Sequence, residues 1–215
     1  MNPGEAVIFD MDGVLVDSEP LHEQAFQEVL DQIGYGQNHG LDFSAYYGKS
    51  DRVVWQDFFA RHQPGRTLDE LADWKQRRFF ELLKRDEPVF ETLPELLEKL
   101  SSRYRLGLAS GSAHRVIREV LALKNLRRFF SATVSAEDVV HGKPAPDIFL
   151  RTAELLRVRP ERCWVIEDSV AGVEGAVAAG MRVIGITNTF SASDLKQATH
   201  VVDSYAAIEH LLLFG

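Results

Sequence analysis

A mostly parallel α/β core interrupted by an all-helical insertion is the fold this sequence predicts, and three observations predict it. From about Arg105 onward, short apolar runs alternate with helical segments. Between Glu19 and roughly Glu87, apolar residues recur at three- and four-residue spacing with no buried strand among them. Ahead of that stretch stands one apolar run, Val7-Ile8-Phe9, short and rich in β-formers, which reads as a buried strand. Strands that alternate with helices build a sheet whose neighbours run parallel, with the helices as crossovers.

Taken in order, the chain leaves the core near Asp17–Ser18 and enters helices at Leu21–Ile33, Asp51–Arg61 and Leu68–Leu83, broken at Gly34–Gly40 and Gln63–Arg66. It returns near Asp86–Pro88, which assigns 1–17 and 87–215 to the core and 18–86 to the insertion. In the core, Leu106–Ser110 reads as a strand, Ala113–Leu123 as a helix and Ala132–Ser135 as a short strand. Pro144 and Pro146 suit a helix entry, so the next helix runs from Pro146 to Leu156. Cys163–Glu167 is the following strand and Val170–Ala179 the following helix, with Gly180 at its C-terminal cap. Strands Arg182–Ile186 and His200–Val202 and a helix at Ala206–Leu213 complete the series.

Composition narrows the function. The 215 residues are 45% apolar and 26% charged, as in ordinary soluble domains, and can hold one sizeable core with a small second module. A formal charge of −8 argues against nucleic acid and anionic membrane as partners, since both call for basic patches. The single Cys163 has no partner for an internal disulfide and reads as a buried thiol. An acidic motif within ten residues of the start leaves no room for a secretory signal, and no apolar run approaches the ~20 residues of a membrane helix. The expectation is a cytoplasmic monomer.

The chemistry starts at Asp10-Met11-Asp12-Gly13. Alternate residues of an extended segment point the same way, so Asp10 and Asp12 can face one small ligand. Two such charges a few ångströms apart repel by roughly 4 kcal/mol at an effective dielectric of about 20, a cost that a proton or a cation must offset. A D-x-D of this kind equally suits a strand end whose acids cap the next helix. An EF-hand is excluded by layout, because its loop needs oxygens at positions 1, 3 and 5 with Gly at 6. In an open α/β sheet the ligand crevice lies beyond the carboxyl ends of the strands, where Asp10, Ser110 and Glu167-Asp168 all fall. Lys143 joins them from a loop. Acids, a hydroxyl and one lysine at a common rim suit a hard divalent cation with a phosphate, and Cys and His ligands for zinc are missing.

Four segments carry a resemblance across nearly the whole chain: Asp10 to Glu19 (DMDGVLVDSE), Leu106 to Ser110 (LGLAS), Gly142 to Pro146 (GKPAP) and Val165 to Ser169 (VIEDS). In this order they resemble the haloacid dehalogenase (HAD) superfamily, in particular the branch of β-phosphoglucomutases and small sugar-phosphate phosphatases. The resemblance implies a Rossmann-like parallel sheet with an inserted helical cap domain, and Mg2+ as cofactor. It implies Asp10 as nucleophile, ionised at neutral pH at the ordinary carboxylate pKa of about 3.9. Asp12 becomes the general acid and base; dehalogenases, phosphonatases and P-type ATPases lack an Asp at this place. Ser110 and Lys143 hold the transferring phosphoryl group. Asp10, Glu167, Asp168 and the main-chain carbonyl of Asp12 supply the metal ligands, with the division between Glu167 and Asp168 left open. Ser112 also suits the N-cap of the next helix.

Substrate selection falls to the cap. His22 and Lys75 match positions that contact substrate in this branch, although Lys75, beside Arg77 and Arg78, also reads as a solvated helix face. The turn Tyr47-Gly48-Lys49-Ser50 matches the specificity loop, and Gly111 and Ser112 complete the expected substrate contacts with Arg52. The mutases carry an arginine after the serine of that loop, where this chain has Asp51, whose charge is expected to repel a second phosphate; Lys49, Arg52 and His114 are the cations that can stand in. The implied activity is hydrolysis of a small phosphorylated metabolite, a sugar phosphate, through an aspartyl-phosphate. A phosphomutase is the alternative, and a non-catalytic binding module is disfavoured because every catalytic position is filled.

Overall fold

A computed structural model describes residues 4–47 and 50–215. Its elements, in chain order, are β1 (Ala6–Phe9), α1 (Glu19–Gln32), α2 (Asp51–Arg61), α3 (Leu68–Asp86), α4 (Leu93–Ser101), β2 (Arg105–Ser110), α5 (His114–Ala122), β3 (Phe130–Ser135), α6 (Asp147–Leu156), β4 (Cys163–Glu167), α7 (Val170–Ala178), β5 (Arg182–Ile186), β6 (His200–Val202) and α8 (Tyr205–Phe214). The chain divides into two units, Met1–Asp17 with Val89–Gly215, and Ser18–Pro88.

In the first unit the strands form one parallel sheet ordered β3-β2-β1-β4-β5-β6. All four residues of β1 are fully buried, as a central strand covered on both faces must be. Ala6 and Ile8 join a cluster with Ile148 and Phe149 of α6 and Val173 and Ala176 of α7, while Val7 and Phe9 point to the opposite face. Chain order runs outward from β1 through β2 and β3, then crosses to β4 on its other side. That reversal makes the carboxyl ends of β1 and β4 a topological switch point, the place where open α/β sheets bind ligands. The register pairs Phe9 with Ile166, which brings Asp10 and Glu167 to the same level at that edge.

Helix α4 is an element the sequence reading leaves unassigned. Leu93, Leu96, Leu97 and Leu100 recur on one face and are all buried, and Pro94 occupies its first turn, where a missing N–H costs nothing. Strand β3 begins two residues earlier than the pattern suggests, because Phe130 packs edge-on against Phe9 at 6.0 Å. Cys163 is a buried free thiol.

The second unit, Ser18–Pro88, contains α1, α2 and α3 around Phe26, Val29, Leu30, Val54, Trp55, Phe58 and Leu71. A capping box starts α3: the Glu70 N–H donates to Thr67 Oγ1 at 3.2 Å and the Thr67 N–H to Glu70 Oε2 at 2.8 Å. Among the described residues no helix is long and apolar enough to cross a membrane.

Leu97 is fully buried in α4. Leu97→Ala is expected to lower unfolding stability by about 2–5 kcal/mol, read from the denaturant midpoint at unchanged m-value. An unmoved midpoint would show that α4 contributes no packing to the core.

Candidate active site

Asp10 follows β1 directly, and its N–H donates to Ile166 O at 3.0 Å, which locks the first residue beyond the strand to the neighbouring strand. Its carboxylate is almost fully buried and accepts from Lys143 Nζ at 2.5 Å. Lys143 arrives from the loop before α6, lies over the Phe149 ring at 5.2 Å, and also donates to Glu167 Oε1. Burial lowers the affinity of Lys143 for its proton, but Asp10 and Glu167 more than reverse this, so it stays charged.

Glu167 has no exposed surface, and its second oxygen is fully engaged. Oε2 accepts from the Asp168 N–H at 3.1 Å, the Ser169 N–H at 3.1 Å and Ser169 Oγ at 2.9 Å. Ser169 also caps α7, accepting from the Gly172 N–H at 3.0 Å, so neither acid is needed for that task. Asp168 is buried as well, and burial raises its carboxyl to about 7, with the charge of Glu167 adding and Thr189 and Lys143 opposing. One oxygen each of Asp10, Glu167 and Asp168 lies within 4.8 Å of the others.

Close packing needs glycine twice here. Gly13, at φ +75°, turns the chain after Asp12, and a Cβ there would stand 1.8 Å from Asp168 Oδ2. A Cβ on Gly172 would stand 1.9 Å from Glu167 Cδ.

Asp12 stands apart from the acidic triad. Its Oδ2 accepts from Ser112 Oγ at 3.0 Å. Ser112 therefore does not cap α5, whose N-cap is Ala113 without a side-chain bond; its hydroxyl is taken by Asp12. The buried Ser110 accepts the Ser112 N–H at 3.0 Å, and Gly111 between them is exposed with open space around it. The turn 110–112 thus holds Asp12 from the end of β2.

The ordinary carboxylate pKa expected of Asp10 is not what its surroundings give. Burial, followed by the charges of Glu167, Asp168 and Asp12, pushes its carboxyl well above the ordinary range, against the pull of Lys143. Asp10, Glu167 and Asp168 thus crowd around the Lys143 ammonium, with Asp12 in the next turn. The donor set is all hard oxygen with excess negative charge, which fits Mg2+.

The helical unit brings together His22, Asp51 and Lys75. The Lys75 ammonium is fully buried, not on a solvated face: it donates to Asp51 Oδ2 at 2.7 Å, contacts His22 Nδ1, and lies 4.5 Å and 5.1 Å from the centroids of Phe26 and Phe79. His22 stacks on Phe79 at 4.0 Å. Burial raises Asp51, but Lys75 and then His22 outweigh it and hold the carboxyl below its usual range. The charge of Asp51 is thereby matched within its own unit, which removes the simple repulsion of a second phosphate. Ser50 is exposed at the N-cap of α2 without a side-chain cap bond, and Arg52 is exposed. Gly48 and Lys49 lie outside the described residues. His114, at the start of α5, is exposed and bonded to Asp138 at 3.0 Å.

Sequence reasoning missed Thr189, which hydrogen-bonds Asp168. The available signal was Thr187-Asn188-Thr189, a polar run at the carboxyl end of a further strand, β5.

Known proteins resemble this chain in family and fold. A family model for haloacid dehalogenase-like hydrolases matches residues 5–180. A phosphorylated carbohydrates phosphatase of Thermotoga maritima is 35% identical over 192 residues, 87% of each chain. The fructose-1-phosphate phosphatase YqaB of Escherichia coli is 34% identical over 184 residues, 84% of this chain and 95% of that one. A crystal structure of β-phosphoglucomutase from Clostridium difficile superposes with a TM-score of 0.78 at 26% identity, covering 95% of this chain and 93% of the other.

The approach of Gly172 to Glu167 yields a test. Gly172→Ala is expected to displace Glu167 and weaken divalent-cation binding by about 10–100-fold, measured by calorimetric titration with Mg2+. Wild-type affinity in a folded variant would show that the setting of Glu167 does not govern the cation.

Proposed function

Because the chain belongs to the haloacid dehalogenase-like hydrolases, we propose that it is a Mg2+-dependent phosphatase acting on a small phosphorylated sugar. The observation that carries this reading is Lys143 Nζ bridging Asp10 and Glu167 at the carboxyl edge of β1 and β4, with Asp168 beside them and Asp12 fixed by Ser112. The named activities of the Thermotoga maritima and Escherichia coli relatives support the substrate class.

Asp10 attacks phosphorus, and the bond from phosphorus to the sugar oxygen breaks as Asp12 gives that oxygen a proton. Asp12, now ionised, takes a proton from the water that attacks the aspartyl-phosphate, and inorganic phosphate leaves as the Asp10 carboxylate is restored. Lys143 and Ser110 steady the phosphoryl oxygens. Asp10 and Asp168, with the main-chain carbonyl of Asp12, would hold Mg2+, which supplies positive charge against the developing phosphate charge. Glu167 acts from behind, because its oxygens are occupied by Lys143, two N–H groups and Ser169.

The phosphomutase reading has the structural likeness to β-phosphoglucomutase in its favour. Against it stands Asp51, which Lys75 neutralises but which offers a second phosphate no cationic donor. A second phosphate is best held by a bidentate arginine, and this chain places a carboxylate where the mutase pattern has that arginine. His22, Ser50 and Arg52 remain candidates for recognising the sugar, together with Gly48 and Lys49 of the specificity loop.

Asp10→Asn is expected to reduce phosphate release to below a few per cent of wild type, with an unchanged far-UV spectrum, because the amide keeps the shape and loses the nucleophile. Higher residual turnover would rule out the covalent route. Incubated with β-glucose 1-phosphate, Mg2+ and a trace of the bisphosphate, the protein is expected to release inorganic phosphate with little glucose 6-phosphate. Rapid formation of glucose 6-phosphate without free phosphate would establish the mutase instead.

A further inference from the structure

The turn after β1 is gripped by residues from the far end of the chain. Within it the Gly13 N–H donates to Val16 O at 2.8 Å and the Leu15 N–H to Met11 O at 2.7 Å. The next two carbonyls are taken from outside. Asn188 Nδ2 donates to Gly13 O at 2.7 Å and to the Tyr205 hydroxyl at 3.0 Å, and that hydroxyl donates to Val14 O at 2.8 Å. The Tyr205 ring rests against Phe90, centroids 5.4 Å apart, and the Phe90 N–H donates to Leu15 O at 3.3 Å. The loop after β5 and the first residue of α8 therefore clamp consecutive peptides immediately beyond Asp12.

We propose that Asn188 and Tyr205 are positioning residues for Asp12. The inference rests on the phosphatase reading, in which Asp12 moves protons. A turn opened by a glycine at φ +75° has a soft pivot next to the residue that must be aimed. Ser112 fixes the end of the Asp12 side chain, and the two clamps fix the backbone on its other side. With either clamp lost, the peptides beyond Gly13 turn about that pivot and Asp12 drifts from the oxygen it serves. Displacements of about 1 Å at such a group cost up to roughly 10²-fold in rate. Asn188 and Tyr205 reach Asp12 through these carbonyls, while the neighbouring Thr189 holds Asp168.

Tyr205→Phe keeps the ring and removes the donor; Asn188→Leu keeps the size and removes both donors. Each variant is expected to lower kcat about tenfold with KM changed less than about twofold, and the double variant to lose little beyond the worse single, since the two bonds form one chain. In single turnover, alcohol release from an alkyl phosphate slows by about the same factor, while release of nitrophenolate from p-nitrophenyl phosphate, which departs without a proton, slows distinctly less. Amides of residues 11–16 exchange faster by hydrogen exchange, and those of β4 and β5 do not. Equal slowing of both leaving groups, or unchanged exchange across 11–16, overturns the proposal. A wild-type protein that releases phosphate from no sugar phosphate defeats the phosphatase reading instead, and the exchange measurement still decides whether the clamp exists.

Discussion

Crowded negative charge at the carboxyl edge of β1 and β4 is the constraint around which the core unit is arranged. Asp10, Glu167 and Asp168 are buried there with ligand oxygens within 4.8 Å of one another, and Asp12 adds a fourth carboxylate in the next turn. Each such pair costs a few kcal/mol at an effective dielectric of about 20, and Lys143 offsets only part of it. The surrounding structure tolerates this because each acid has a defined partner. Glu167 rests on two N–H groups and Ser169, Asp168 on Thr189, Asp12 on Ser112, and Asp10 shares Lys143 with Glu167. Gly13 and Gly172 sit where any side chain would strike Asp168 or Glu167.

The helical unit handles charge in the opposite way. Its buried ammonium, Lys75, meets one carboxylate, Asp51, between two phenylalanine rings and a histidine. A lysine without exposed surface is tolerable only when paired in this manner, because removing one partner leaves an uncompensated buried charge. The core cluster carries an excess of charge that invites a cation and an anionic substrate together. The cap cluster balances internally and invites neither.

Much of this was legible in the chain, and what was not has physical causes. The strands announced themselves because buried parallel strands are continuous apolar runs, and their ends delivered Asp10, Ser110 and Glu167-Asp168 as polar punctuation. Helix α4 escaped despite its regular leucines, being nine residues long and opened by Pro94. Lys75 matches a substrate-contact position, and its burial against Asp51 stays hidden because the periodicity of one helix says nothing of a carboxylate contributed by another. The elevated proton affinity of Asp10 was out of reach for the same reason, since three of the charges acting on it come from the end of β4, the residue after it and the loop before α6. Ser112, which suits a cap as well as a substrate contact, turns its hydroxyl to Asp12 instead, an approach from a distant segment that no local pattern shows.

The sheet order also bears on how the chain reaches this state. Its central strand, β1, precedes every strand it pairs with, and Ala6 must wait for Arg105 on one side and Cys163 on the other. During synthesis the whole Ser18–Pro88 segment emerges before the first of those partners. The apolar Ala-Val-Ile-Phe strand therefore stays unpaired while that segment is made, and the late arrival of β4 governs when its second edge is covered. The strand that leads into Asp10 is thus made before both of its partners and enclosed only when β4 arrives.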